Sequence, residues 1–552
     1  MNKPTWPYRY RFLGVTLHRL LSLTIFLVWA CFVSYLAWNH VVWRDEVRAF
    51  SLALQGDHFI AMLKGLKGEG HPALWYLLLR GAHVVMSTPE VLQVVALIVA
   101  FASILLLVLR SPFGLLLIAL LLSSRFAVFE YSVVARNYGI SMLLLFLLAT
   151  SYRRYRDQGI WLGALLFLLA NCNAHSVLLV GSFLIFWFFD IIRNDGVDRT
   201  QALHTFVLNA SIALLGIVLC VITIFPPVND AAQNNLPGSI TFRHLLEAVI
   251  LPAASFNSLL QLDLSQQVLE QFSLWREPYI LILHVLMSSL MFGSTLVLVR
   301  HPAALCAAWA ALIGLSVFFS TIYPGFYRHQ ALWLVFLISL YWITSRDDEK
   351  EERGPATQTT PLIKTMRSLG HVLVVAVLTL QVIAVEPILA HIDVPVSRSR
   401  DLGLLIARSP ELQDAIVIAD PDYLVEPLSY YVPNRTYLMR EHRFGHVVVF
   451  TKKATGQLSL DEILSHARDL RREFGKPVII LLHHRLDPSA PAQIIGEGYN
   501  WELAITPEQV RTFQACTRLI ERFGPVFYSD ESFDAYVVDG SKCPNLLVNI
   551  RH

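Results

Sequence analysis

Apolar runs, several of them as long as a bilayer is thick, recur near residues 17–38, 91–109, 112–128, 138–151, 159–172, 174–192, 203–225, 279–299, 303–322, 330–345 and 368–391. A segment that crosses hydrocarbon must satisfy its backbone N–H and C=O groups internally, which a helix does. These eleven runs predict a polytopic α-helical membrane protein. Hydrophobic residues make up 55% of the 552 and charged residues only 16%, which excludes a soluble multidomain enzyme. The formal net charge of +2 offers no broadly basic face for a phosphate backbone, so no nucleic-acid partner is expected.

Basic clusters set the expected orientation. Lys3, Arg9 and Arg11 precede the first run, Arg153, Arg154 and Arg156 follow the fourth, and Arg346, Lys350, Arg353, Lys364 and Arg367 lie between the last two. All three clusters belong on the cytoplasmic side by the positive-inside rule. The first run lacks an Ala-x-Ala type cleavage site and reads as a retained span. Residues 72–86 are apolar but short, and they carry Arg80 and His83. Counting them as a span would turn Arg153 to Arg156 outward, so they read as a helix lying on the outer face. Two long external loops result, 39–90 and 226–278, within a membrane domain of residues 1–392. The expected location is a bacterial inner membrane, with the N-terminus cytoplasmic and the C-terminal domain periplasmic.

Residues 393–552 have the composition of an extramembrane α/β domain. Short apolar runs at 415–419, 446–450 and 477–482 predict strands, and a helical pattern at 461–474 sits between two of them. That order favours a partly parallel sheet. Asp420-Pro421-Asp422 reads as a helix cap with proline at the first helical position. His483 and His484 end a strand and point to opposite faces, which argues against a shared metal. Cys516 and Cys543 lie in this domain and are free to pair in an oxidising compartment, whereas Cys31, Cys172, Cys220 and Cys306 fall in apolar runs.

The chemistry is expected in the outer loops. Asp45 and Glu46 follow the first span directly, and ionised groups beside hydrocarbon are costly unless solvated, paired or functional. His71 lies in the same loop, Glu130 and Arg136 in the short segment between the third and fourth runs, and Tyr327, Arg328 and His329 before the tenth span. Carboxylates with cations suit chemistry on a phosphate-activated substrate: an acid takes a proton from the acceptor, and arginine forks neutralise the phosphate that departs. A channel calls instead for repeated rings, and a proton pump for acids within the spans.

Three motifs carry a family resemblance: Asp45-Glu46 after the first span, Gly70-His71-Pro72-Ala73-Leu74-Trp75-Tyr76-Leu77-Leu78, and Ala135-Arg136-Asn137-Tyr138. In this order they resemble the GT-C superfamily of polyprenyl-phosphate-dependent membrane glycosyltransferases, which includes protein O-mannosyltransferases and lipid A aminoarabinose transferases. Arg328 and His329 resemble the family's late basic position, so the likeness covers about residues 17–345. It implies an inverting transferase that moves a sugar from a polyprenyl-phosphate donor to a lipid, glycan or protein acceptor at the outer face. Asp45 would be the acceptor-activating base, Glu46 would assist, and His71, Arg136, Tyr327, Arg328 and His329 would bind the lipid phosphate. The family's second acid stands two residues before the arginine, where this chain has Val134, and the role passes to Glu130. No cofactor is required by the sequence, and a divalent ion shared by Asp45 and Glu130 stays open. The alternatives are a lipid-linked glycan flippase, which calls for charges near mid-membrane, and an enzyme of the O-antigen polymerase or ligase type.

Overall fold

The computed structural model describes residues 8–193, 198–226, 230, 241–262, 278–351, 360–527 and 529–539. Among them seven helices are long and apolar enough to cross a membrane: Leu17–Asn39, Val91–Arg110, Ala174–Arg193, Arg199–Ile224, Pro278–Leu298, Pro302–Thr321 and Pro361–Ala390. The protein is therefore an integral membrane protein with a strand-containing C-terminal domain. The other four expected runs form helices that are too short or too polar to meet the same measure. Residues 112–128 divide into the helix Leu115–Leu122 and a π-helical turn, Phe126–Glu130. Residues 159–172 shrink to Trp161–Ala170, while Tyr138–Tyr155 and Tyr327–Glu351 carry polar ends. Ala331 to Ile338 are almost wholly buried on every side, the mark of a central helix rather than a lipid-facing one.

Small residues let the helices approach closely, as is usual in membranes. A Cβ on Gly163 would lie 2.8 Å from Asn209 Oδ1, and one on Gly216 would lie 2.7 Å from Phe167 Cα. Asn209 Oδ1 instead accepts a 2.6 Å bond from Gly163 N, which ties Trp161–Ala170 to Arg199–Ile224. At one end of the bundle Arg153 donates to Ile343 O at 3.2 Å and Arg346 donates to Arg110 O. This gathers two of the basic clusters. At the other end Gln93 reaches back to Ala37 O at 3.3 Å, so everything from His40 to Glu90 lies between two adjacent helix termini. The segment 123–137, the turn Asn171-Cys172-Asn173 and the connection 322–328 meet the same end through the contacts described below.

The C-terminal domain contains a four-stranded sheet in the spatial order Ile416–Asp420, Val478–Leu482, Phe533–Val538, Thr517–Phe523. The first pair is parallel and the other two are antiparallel, which gives the mixed sheet that the strand and helix order favours. The helix Leu460–Phe474 begins at a Ser459–Glu462 capping box and ends at Gly475, whose φ of 64° is the left-handed stop common after helices. Two expectations fail here. Residues 446–450 are not a strand, because Val448 N and Val449 N donate to the carboxylates of Glu426 and Glu441 instead of to a neighbouring chain. Asp420 and Asp422 are not helix caps. Asp420 pairs with the fully buried Arg440 at 2.8 Å, and Asp422 accepts from Met439 N and Arg440 N, both at 2.9 Å. Both carboxylates close long-range links that sequence spacing does not display. Cys516 is disulfide-bonded, and Cys543 lies outside the described residues.

Candidate functional site

The site is organised by one short helix, Arg44–Leu54, which starts five residues after the first span ends. Consecutive side chains on a helix point about 100° apart, so Asp45 and Glu46 serve different faces. Asp45 is partly exposed and meets two guanidiniums, Arg328 at 3.3 Å and Arg136 at 3.6 Å. Arg136 also donates to the Asp45 backbone carbonyl. Burial alone would push the Asp45 carboxyl up, but Arg136, Arg328 and Arg44 outweigh it and hold it at about 2. It is ionised at any physiological pH.

Glu46 is fully buried, with its oxygens already engaged. It accepts from Ala135 N at 2.6 Å and Trp43 N at 3.3 Å, and it lies 2.8 Å from His40 Nε2. Its role is to fasten the helix start to the Ala135-Arg136 backbone, which places Arg136 against Asp45. Sequence reasoning put the two acids together in one cluster, whereas the structure brings only Asp45 to the arginines.

His71 stands beside Arg136, with Nε2 2.6 Å from Nη2. A guanidinium only donates, so Nε2 accepts. Burial, with Arg136 and His175 nearby, holds His71 well below the usual range and keeps it neutral. Asn137 donates to Cys172 O, and its Nδ2 lies 3.2 Å from His71 Nδ1. Leu74 N donates to Asn171 O at 3.2 Å. These contacts make the turn 171–173 the floor under His71 and bring in His175 from the start of the next helix. The His175 ring lies 4.7 Å from His329, and Tyr138 lies 5.2 Å from His329 and 6.0 Å from His71. Both His175 ring nitrogens and the Tyr138 hydroxyl are buried without a hydrogen-bond partner among the described residues. Sequence reasoning assigned neither residue to the site: Tyr138 entered only as the end of its motif, and the meeting of the turn 171–173 with His71, a hundred residues away, is not displayed by spacing.

Glu130 is turned elsewhere. Its Oε1 accepts from Arg125 Nη2 at 2.8 Å and Nε at 3.2 Å, and the Arg125 guanidinium lies 4.3 Å from the centre of the Tyr327 ring. Glu130 ends a π turn, closed by Tyr131 N to Phe126 O at 2.9 Å. Tyr327 is buried, and its hydroxyl donates to Gln381 Oε1 at 2.7 Å. Tyr327 and Glu130 thus form a packed polar link beside the site, not a part of the Asp45 cluster. His329 accepts from Phe326 N at 2.9 Å through Nδ1, which fixes the turn that delivers Arg328. No group of three or more His, Cys, Asp or Glu among the described residues is placed to hold a metal ion.

The assembled site is an ionised carboxylate between two arginines from distant segments, over a floor of histidine rings and a tyrosine hydroxyl. Such a site can bind a phosphate through the guanidiniums, accept a proton at Asp45 and hydrogen-bond a hydroxylated group beneath. The chain matches no family model, and no curated protein matches it.

Proposed function

We propose that the protein is a membrane glycosyltransferase that takes a sugar from a polyprenyl phosphate and passes it to an acceptor at the membrane face carrying Asp45. The observation that carries this reading is the Asp45 carboxylate held by Arg136 and Arg328, which meet it from two other segments of the chain. Arginine forks match phosphate oxygens, and a carboxylate beside them suits an acceptor hydroxyl. The unpartnered His175 nitrogens and Tyr138 hydroxyl support a hydroxyl-rich ligand, since each such buried group costs about 1–3 kcal/mol until it is satisfied. A mostly apolar cavity of about 660 Å³ between the first and last spans, lined by Trp29, Phe32, Val128, Val382 and Leu389 with Glu386 among its few polar residues, has the chemistry for an isoprenoid tail. The Cys516 disulfide is consistent with a periplasmic C-terminal domain.

In the transfer, Asp45 takes the proton from the acceptor hydroxyl as its oxygen attacks the anomeric carbon. The bond from that carbon to the phosphate oxygen breaks, its electron pair leaves with the polyprenyl phosphate, and configuration inverts. A carboxylate held at about 2 is a feeble base. A donor phosphate that draws Arg136 and Arg328 onto its own oxygens returns Asp45 toward ordinary carboxylate basicity, so donor binds before acceptor. Reconstituted protein supplied with polyprenyl-phosphate sugars tests this reading. Wild type should consume donor and release polyprenyl phosphate, while Arg136→Ala and Arg328→Ala each lose most of that turnover. Movement of intact donor across the bilayer without consumption would favour a flippase and sink the transferase reading.

A further inference from the structure

The helix that carries Asp45 has a third face, and that face belongs to the other domain. Arg44 and Arg48 stand one turn apart and both point at the C-terminal domain. Arg44 N donates to Glu531 Oε1 at 2.8 Å, and its guanidinium lies 3.3 Å from Asp530 and 4.4 Å from the centre of the Tyr423 ring. Arg48 bridges Glu426 of the C-terminal domain and Glu69 of the first outer loop, with its guanidinium 5.2 Å from the Phe450 ring centre. Glu426 and Glu531 are fully buried. Each is also built into its own domain, since Glu426 accepts from Val448 N at 2.7 Å and Glu531 O accepts from Arg398 N at 3.1 Å. Just ahead of the helix, Tyr431 donates to Val42 O at 2.8 Å. Glu531 is thus the acceptor for an otherwise orphaned amide at the helix start, supplied from 487 positions along the chain.

We infer that Glu531 and Glu426 are positioning residues for Asp45: the C-terminal domain clamps the Arg44–Leu54 helix from outside and thereby fixes where the Asp45 carboxylate meets Arg136 and Arg328. The membrane domain alone then holds an incomplete site. This explains why a soluble-type domain is built onto a membrane bundle at the end where the charges gather. It is a different task from recruiting an acceptor, and it needs no ligand on the C-terminal domain.

The consequence for catalysis rests on the transferase reading, but the clamp does not, so the test separates them. Hydrogen exchange is followed by mass spectrometry on the full chain in lipid nanodiscs. Glu531→Ala and Glu426→Ala should each speed exchange over residues 44–54 about tenfold or more, with Tyr138–Tyr155 and Val478–Leu482 unchanged. Glu531→Gln keeps an acceptor for Arg44 N and should stay near wild type. Unchanged exchange over 44–54 in both alanine variants overturns the inference. If an alanine variant also speeds exchange across Val478–Leu482, its own domain has opened and Arg48→Leu decides. A rise confined to 44–54 supports the clamp, and no rise overturns it. In a transfer assay the alanine variants should lower kcat with the donor KM little changed. If wild type consumes no donor, the transferase reading falls while the exchange result still judges the clamp.

Discussion

Glu46 accepts from Ala135 N, Trp43 N and the His40 ring, so removing its carboxylate leaves buried groups unpaired in the middle of the site. Glu46→Ala should lower stability by about 3 kcal/mol, read as a drop in melting temperature in detergent. Asp45 behaves differently because it faces arginines. Its carboxyl, held at about 2 against a usual 3.8, adds stability that is present above the usual value and lost as pH falls through about 2. Across the physiological range it does not titrate. The kcat/KM for donor should therefore show no acidic limb from Asp45, whereas kcat at saturating donor should show one at higher pH once phosphate has taken up the arginines. An identical acidic limb in both profiles would contradict the unmasking step. That Asp45 and Glu46 are a costly pair beside a span was legible in the sequence. Their division of labour was not, because it depends on Ala135 and Arg136, which spacing alone cannot bring to either face.

At the scale of elements, the apolar runs announced the bundle, and the seven longest are helices of span length. The break in 112–128 was hidden, because Phe126 to Phe129 is apolar enough to continue a span and only the π-turn bond from Tyr131 N to Phe126 O reveals the change of path. That turn carries Glu130 to Arg125 and away from Asp45. Close helix contacts were equally silent in the sequence. A Cβ on Gly370 would come within 2.2 Å of Val297 N, where the helix Pro361–Ile383 crosses the turn Thr295–Leu298. Backbone cannot step aside as a side chain can. Gly370→Ala should therefore cost about 1–3 kcal/mol, seen as earlier thermal unfolding, while the same change at Gly81, where nothing lies within 4 Å, should be near neutral.

For the whole molecule, the strand and helix order of the C-terminal domain was legible as a mixed sheet, but its attachment was not. The seam sets two guanidiniums, Arg44 and Arg48, against four carboxylates, Glu69, Glu426, Asp530 and Glu531. Burial pushes Glu531 up to about 8 from a usual 4.5, against the pull of Arg44. An acid raised on folding contributes stability that is complete below its usual value and is lost as pH rises through its folded value. The C-terminal domain should therefore melt progressively earlier between about pH 5 and 8, and Glu531→Gln should flatten that slope. A slope unchanged in the variant would move the cause to Asp422, which burial raises to about 7. All of this serves one carboxylate. The most direct measurement is transfer of radiolabelled sugar from a polyprenyl phosphate by Asp45→Asn protein in proteoliposomes. Loss of about 10²–10⁴-fold in kcat with the protein still folded is the expected result. Transfer at the wild-type rate would contradict the assignment of Asp45 as the base.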